Sequence, residues 1–139
     1  MAERIGNAVP APLRFELGQA PARGETARAV LLVTVCADGS PRVAVLSPAE
    51  IKAVGDKILH IEVRAGSTTA ANLERDSKAL VWCVLDAAAY SVSGTCSTST
   101  ESRGADGSVA FEPSVQDVYR DFEPESPMIA PPTYRAGEP

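Results

Sequence analysis

The sequence is poor in the residues that most often announce a chemistry. It has one histidine, His60, and three cysteines, Cys36, Cys83 and Cys96. The cysteines are odd in number and show no C-x-x-C spacing, so neither a disulfide framework nor a redox pair is written here. Two of them stand inside apolar runs, where a thiol behaves as a small hydrophobe. A single histidine without a cysteine pair gives no zinc ligand set. Positive charge is also in short supply: 13 basic residues face 18 acidic ones, for a net charge of −5. Phosphate backbones need a basic face, so a nucleic-acid partner is not expected, and an anionic membrane surface is disfavoured for the same reason. Long apolar runs are missing. The longest, Ala29 to Ala37, is broken by Thr34 and falls far short of the roughly 20 residues that span a bilayer. The first residues lack an apolar signal core, so a cytoplasmic location is expected. No glycine-rich nucleotide loop occurs.

What the chain does have is strands. At 139 residues and 45% hydrophobic content it has the makings of one domain. Residues 1–24, with prolines at 10, 12 and 21, read as an N-terminal arm with one turn of helix near Leu13–Leu17. Ala29 to Cys36 is β-branched and apolar on both faces, the pattern of a buried strand. Asp38-Gly39 then predicts a hairpin turn with positive φ at both central residues, and Pro41 opens a second strand ending near Ser47. Ala49–Val54 fits a turn of helix or an extended edge. Lys57–Arg64 reads as a third strand. Ser67 is a good N-cap for the helix that follows, T-T-A-A-N-L-E-R. Ser77–Leu85 is another apolar strand, and Tyr90–Ser97 alternates with period two. Residues 97–108 read as a polar loop, Val109–Phe111 as a last core strand, and Val115, Val118, Tyr119 and Phe122 as a weak amphipathic helix. Residues 25–122 form the expected domain and 123–139 a proline-rich tail, in which Met128, Ile129 and Tyr134 are apolar enough to pack. The element order, about six antiparallel strands with one or two short helices, is typical of a mainly β fold, a closed or split β-barrel.

Three stretches carry a resemblance: L-L-V-T-V-C-A-D-G-S-P-R-V-A-V-L, then S-T-T-A-A-N-L-E-R-D, then Y-S-V-S-G-T-C. Their order resembles the pyridoxamine-5-phosphate-oxidase-like family of FMN-binding split barrels, over roughly residues 27 to 97. The resemblance implies a homodimer with flavin mononucleotide (FMN) at the subunit interface. It places the phosphate by Ser67, Thr68 and Thr69, in a helix that continues to Asn72. It places the isoalloxazine and ribityl groups along Val45, Leu46 and Ser47 and along Glu62, Val63 and Arg64. Trp82 and Tyr90 would come from the second subunit.

The leading end of a helix suits a phosphate, because its unpaired N–H groups and the macrodipole both favour an anion. The alternative is that Ser67 is only an N-cap and Thr68 and Thr69 ordinary first-turn residues. Arg64 is close enough in sequence to contribute a bidentate fork. The chain departs from the family where a cation is common: it has Thr68 and Thr69 in the first turn and Ala44 on the second strand. Arg64, Arg42 or Arg75 would have to substitute. The C-terminal stretch offers Arg120 and Arg135 among glutamates and prolines, so oxidation of pyridoxamine phosphate itself is not expected. His60 lies in mid-strand and fits a structural side chain better than a base. Two functional classes stay open: a flavin-dependent oxidoreductase of unread substrate, and a non-catalytic dimeric ligand-binding protein. A deazaflavin- or haem-binding relative is a third.

Overall fold

Alternation of buried and half-exposed residues makes Val30–Val35 (β3) a strand with one face in the core, and Pro41–Leu46 (β4) folds back on it. In this computed structural model, residues 2–19, 26–96, 107–123 and 133–135 are described. The remaining elements are β1 (Ala2–Gly6), α1 (Ala11–Glu16), β2 (Thr26–Arg28), a 3-10 turn (Pro48–Glu50), β5 (Ile51–Val54), β6 (Ile58–Arg64), α2 (Thr68–Asp76), β7 (Lys78–Leu85), β8 (Ala88–Cys96), β9 (Ser108–Phe111), β10 (Pro113–Asp121) and β11 (Thr133–Arg135).

Nine of these strands make one antiparallel sheet in the order β4-β3-β7-β8-β10-β6-β5, with β1 added to β10 and β9 to β6; β2 and β11 pair separately. β9 and β10 are parted only by Glu112. The first pairs with β6, while the second runs along β8 and then β1. Ser114 is the crossing point, paired with both Thr95 and Ile58. This strand, shared between two neighbours, curls the sheet into a barrel whose end strands, β4 and β5, do not pair. That is the split-barrel architecture. The interior holds Leu32, Ile61 and Val118 at 0% exposure, with Val9, Leu13 and Leu17 sealing it from the N-terminal side.

Several expectations change. Eleven strands are described rather than about six, because short segments at the chain ends and beside the barrel also pair. In the N-terminal arm the helical turn expected near Leu13–Leu17 is α1, which buries Leu13, and the extended part includes an exposed strand, β1, paired with β10. The helix expected over Val115–Phe122 is instead β10, with a bulge between Val115 and Asp117. The extra residue lets Val115 and Val118, three apart, both be buried, which imitates helical spacing. The Asp38-Gly39 turn also differs. Gly39 is at φ +85° but Asp38 is not in the left-handed region. Gly39 N–H donates to Cys36 O (2.9 Å) and Cys36 N–H to Ser40 O (2.8 Å), a three-residue loop with a glycine bulge. The two-residue turn with both φ positive occurs at Asp86 (51°) and Ala87 (65°). The loop read at 97–108 falls mostly outside the described residues, as do Met128 and Ile129.

Candidate functional site

Strand pleating divides the residues named from the sequence between two faces. Directly opposed residues share a face, so the pairs Leu31–Val45, Val33–Val43, Leu31–Trp82 and Val33–Leu80 place all six side chains on the outer surface. Val43 and Val45 are 56% and 65% exposed, and the other four are half-buried. Leu46 and Val63 point the other way, into the core. Tyr90 also packs against the core, so Tyr90 and Trp82 lie on opposite faces of the sheet. Ser47 caps the 3-10 turn: its N–H donates to Glu50 Oε1 at 2.9 Å in a capping box. The spelling Ser47-Pro48-Ala49-Glu50 carries this motif and was a readable signal.

The leading end of α2 is built as its sequence predicts. Ser67 Oγ accepts the Ala70 N–H at 3.1 Å, and Ser67 O accepts the Ala71 N–H at 3.1 Å. The Thr68 and Thr69 N–H groups precede the first intrahelical donor, Ala71, and remain for another partner. Thr68 is exposed, whereas Thr69 is buried. Asn72 is buried and committed: its Nδ2 donates to Thr34 Oγ1 (3.0 Å) and its Oδ1 accepts from Arg75 (3.0 Å). Arg75 also donates to Val35 O, which ties α2 to β3. Asn72 and Arg75 are therefore a latch between elements, and Arg75 is not free to replace a missing cation.

Three residues before Ser67, β6 ends beside a cleft of about 220 Å³ lined by Glu50, Glu62, Val63, Arg64, Gly107 and Ser108. Glu62, Val63 and Arg64 were named from the sequence. Glu50 was not. Gly107 and Ser108 arrive through the Arg64–Ser108 register of β6 and β9, for which no local signal exists. Arg64 is exposed and has no ion-pair partner among the described residues, unlike Arg4 (to Asp117), Arg28 (to Glu16) and Arg120 (to Glu3). Beside the cleft, His60 stands between two carboxylates, with Nε2 3.3 Å from Glu62 Oε1 and Nδ1 3.7 Å from Glu112 Oε1. Among the described residues no cluster of three or more histidine, cysteine or acidic side chains could hold a metal ion. No helix among them is long and apolar enough to cross a membrane. Cys83 and Cys96 are buried, and burial pushes their thiols up to about 12 and about 11, so neither is a nucleophile at neutral pH.

No family model and no curated protein matches the chain. Solved structures do. HupZ of Group A Streptococcus is similar at a TM-score of 0.60 and 16% identity, covering 81% of this chain and 98% of that one. A Lactobacillus delbrueckii protein provisionally named a pyridoxamine 5'-phosphate oxidase is similar at 0.55 and 18% identity, over 66% of this chain and 83% of its own. An FMN-binding protein of Syntrophomonas wolfei matches at 0.52 and 14% identity, over 66% and 75%. The fold expected from the sequence is the fold these proteins share.

Proposed function

We propose that the protein is a flavin-binding split barrel that works as a homodimer, with FMN the flavin expected from the resemblance. The observation that carries this reading is that Arg64, exposed and without an ion-pair partner among the described residues, ends β6 one tight turn before the open first-turn amides of α2, the Ser67 N–H donating to Arg64 O at 3.2 Å. Amide N–H groups, a helix dipole and a guanidinium are what a phosphate ester needs. Thr68, exposed in that first turn, adds a hydroxyl donor. These donors suit a flavin phosphate, with one cation where such a site commonly has more and with the Glu50 and Glu62 carboxylates beside it. A bound flavin would supply hydride or electron transfer, leaving binding, orientation and electrostatic setting to the protein.

The second copy is expected on the outer face of β4, β3 and β7, where Val43, Val45 and Trp82 lie among apolar neighbours. An exposed apolar sheet face of this extent favours association. Burying it would bring two clefts into one assembly.

A titration tests the cofactor. FMN fluorescence should be quenched on adding protein, and Arg64→Gln should weaken binding about tenfold, the worth of one charge-assisted hydrogen bond of roughly 1.5 kcal/mol. Unquenched FMN at high protein concentration would reject the reading. A second reading, a non-catalytic ligand-binding dimer, is favoured by Glu50 and Glu62 in the cleft wall. It separates from the first by whether a bound flavin can be reduced by NADH or NADPH and reoxidised.

A further inference from the structure

Charge in the cleft runs against a tightly held phosphate. Its wall carries the Glu50 and Glu62 carboxylates and one guanidinium, Arg64. Both acids are held in place. Glu50 Oε1 accepts the Ser47 N–H at 2.9 Å, and Glu62 Oε1 lies 3.3 Å from His60 Nε2. Glu112 stands on the far side of the same imidazole, 3.7 Å away, and Lys52 is opposite His60 in the β5–β6 register. Glu62 and Arg64, two apart on β6, project to the same side about 7 Å from each other. Any phosphate drawn to Arg64 therefore sits within Coulomb reach of Glu62. Among the described residues, Thr68, Thr69 and Ala44, positions where the resemblance leads one to expect a cation, carry no charge.

We infer that Glu62 is a specificity-determining residue that sets the cleft against the terminal phosphate, so that the protein takes riboflavin about as well as FMN. The inference rests on the flavin-binding reading and sharpens it. The ring and ribityl chain supply most of the binding, and the phosphate adds little because attraction to Arg64 and the α2 amides is offset by repulsion from Glu62.

The test is a pair of fluorescence titrations, FMN and riboflavin, at low ionic strength on wild type and Glu62→Gln. Glu62 is an exposed side chain, and the amide keeps its shape, so the variant should fold; circular dichroism checks this. Wild type should bind the two flavins within about threefold of each other. Glu62→Gln should raise the ratio of FMN to riboflavin affinity about fivefold, the repulsion of one carboxylate on a phosphate of charge about −1.5 roughly 7 Å away in water. The gain should shrink at high salt. A wild-type preference for FMN above about thirtyfold overturns the inference, as does a Glu62→Gln variant with an unmoved FMN-to-riboflavin ratio. In both cases flavin binding itself stands. If wild type binds neither flavin, the flavin reading falls and takes this inference with it.

Discussion

At Ala87 the backbone sits at φ 65°, in the left-handed region that a Cβ atom disfavours. Asp86 before it tolerates the same region better, because its short polar side chain can bond locally. The pair forms the tight turn between β7 and β8, whose strand twist demands positive φ at both positions. Ala87→Gly should therefore stabilise the protein by about 0.5–1 kcal/mol, read as a shift in the urea midpoint with unchanged slope. A loss of stability would mean that Ala87 makes packing contacts worth more than its strain. Cys83 makes a second prediction at this scale. Burial, helped by the Glu16 carboxylate and partly countered by Arg28, lifts its thiol from an ordinary 9.0 to about 12. Because the folded value is raised, the stabilisation is complete below pH 9 and is lost as pH climbs towards 12. Thermal melts of wild type should fall more steeply over pH 9 to 11 than those of Cys83→Ala. Parallel curves would show that Cys83 does not drive the loss.

Elements differ in how locally they are specified. α2 is announced by Ser67 before it and by alanines within it, and the structure places the cap bond as the sequence implies. Ser67→Ala should cost about 1 kcal/mol, measured by chemical denaturation. If stability is unchanged, the serine is not acting as a cap. Because Ser67 is committed to the helix and Thr69 is buried, Thr68→Ala is the cleaner probe of ligand contact in that turn. β10 is the opposite case. Its apolar residues at 115 and 118 have helical spacing only because a bulge adds one residue between them, and a bulge becomes visible only when the partner strand β8 is in place. The D-G turn failed for a related reason. Asp38 is held by its own hydrogen bonds from the Ser40 N–H and hydroxyl, which also keep its carboxyl below the usual range, and this favours the three-residue loop over the two-residue one.

At the scale of the whole molecule, the barrel leaves an apolar outer surface on β4 and β3. The glutamate pair Val43→Glu and Val45→Glu, on side chains more than half exposed, should leave the fold intact and convert a dimer into a monomer. Light scattering after gel filtration would read this directly. A wild-type monomer at micromolar concentration would remove the homodimer from the proposal while leaving the barrel unaffected. The candidate site also belongs to this scale. Glu62, Arg64 and the α2 cap are near one another in sequence and were legible there, whereas Gly107 and Ser108 reach them from 40 or more residues away.

Hydrophobic alternation, one helix cap and three ordered motifs were enough to specify a split barrel, because side-chain periodicity is a property of the local chain. They also located the end of β6 and the start of α2, since both are written in consecutive residues. Which side chains on those strands face outward together could not be read locally. Only pairing decided that Leu46, Val63 and Tyr90 serve the core while Val45 and Trp82 share the outer surface, and only the arrival of β9 and of the Glu50 turn completed the cleft, the turn adding a second carboxylate to that of Glu62. Registers and bulges are fixed between strands, by contacts that no single strand contains.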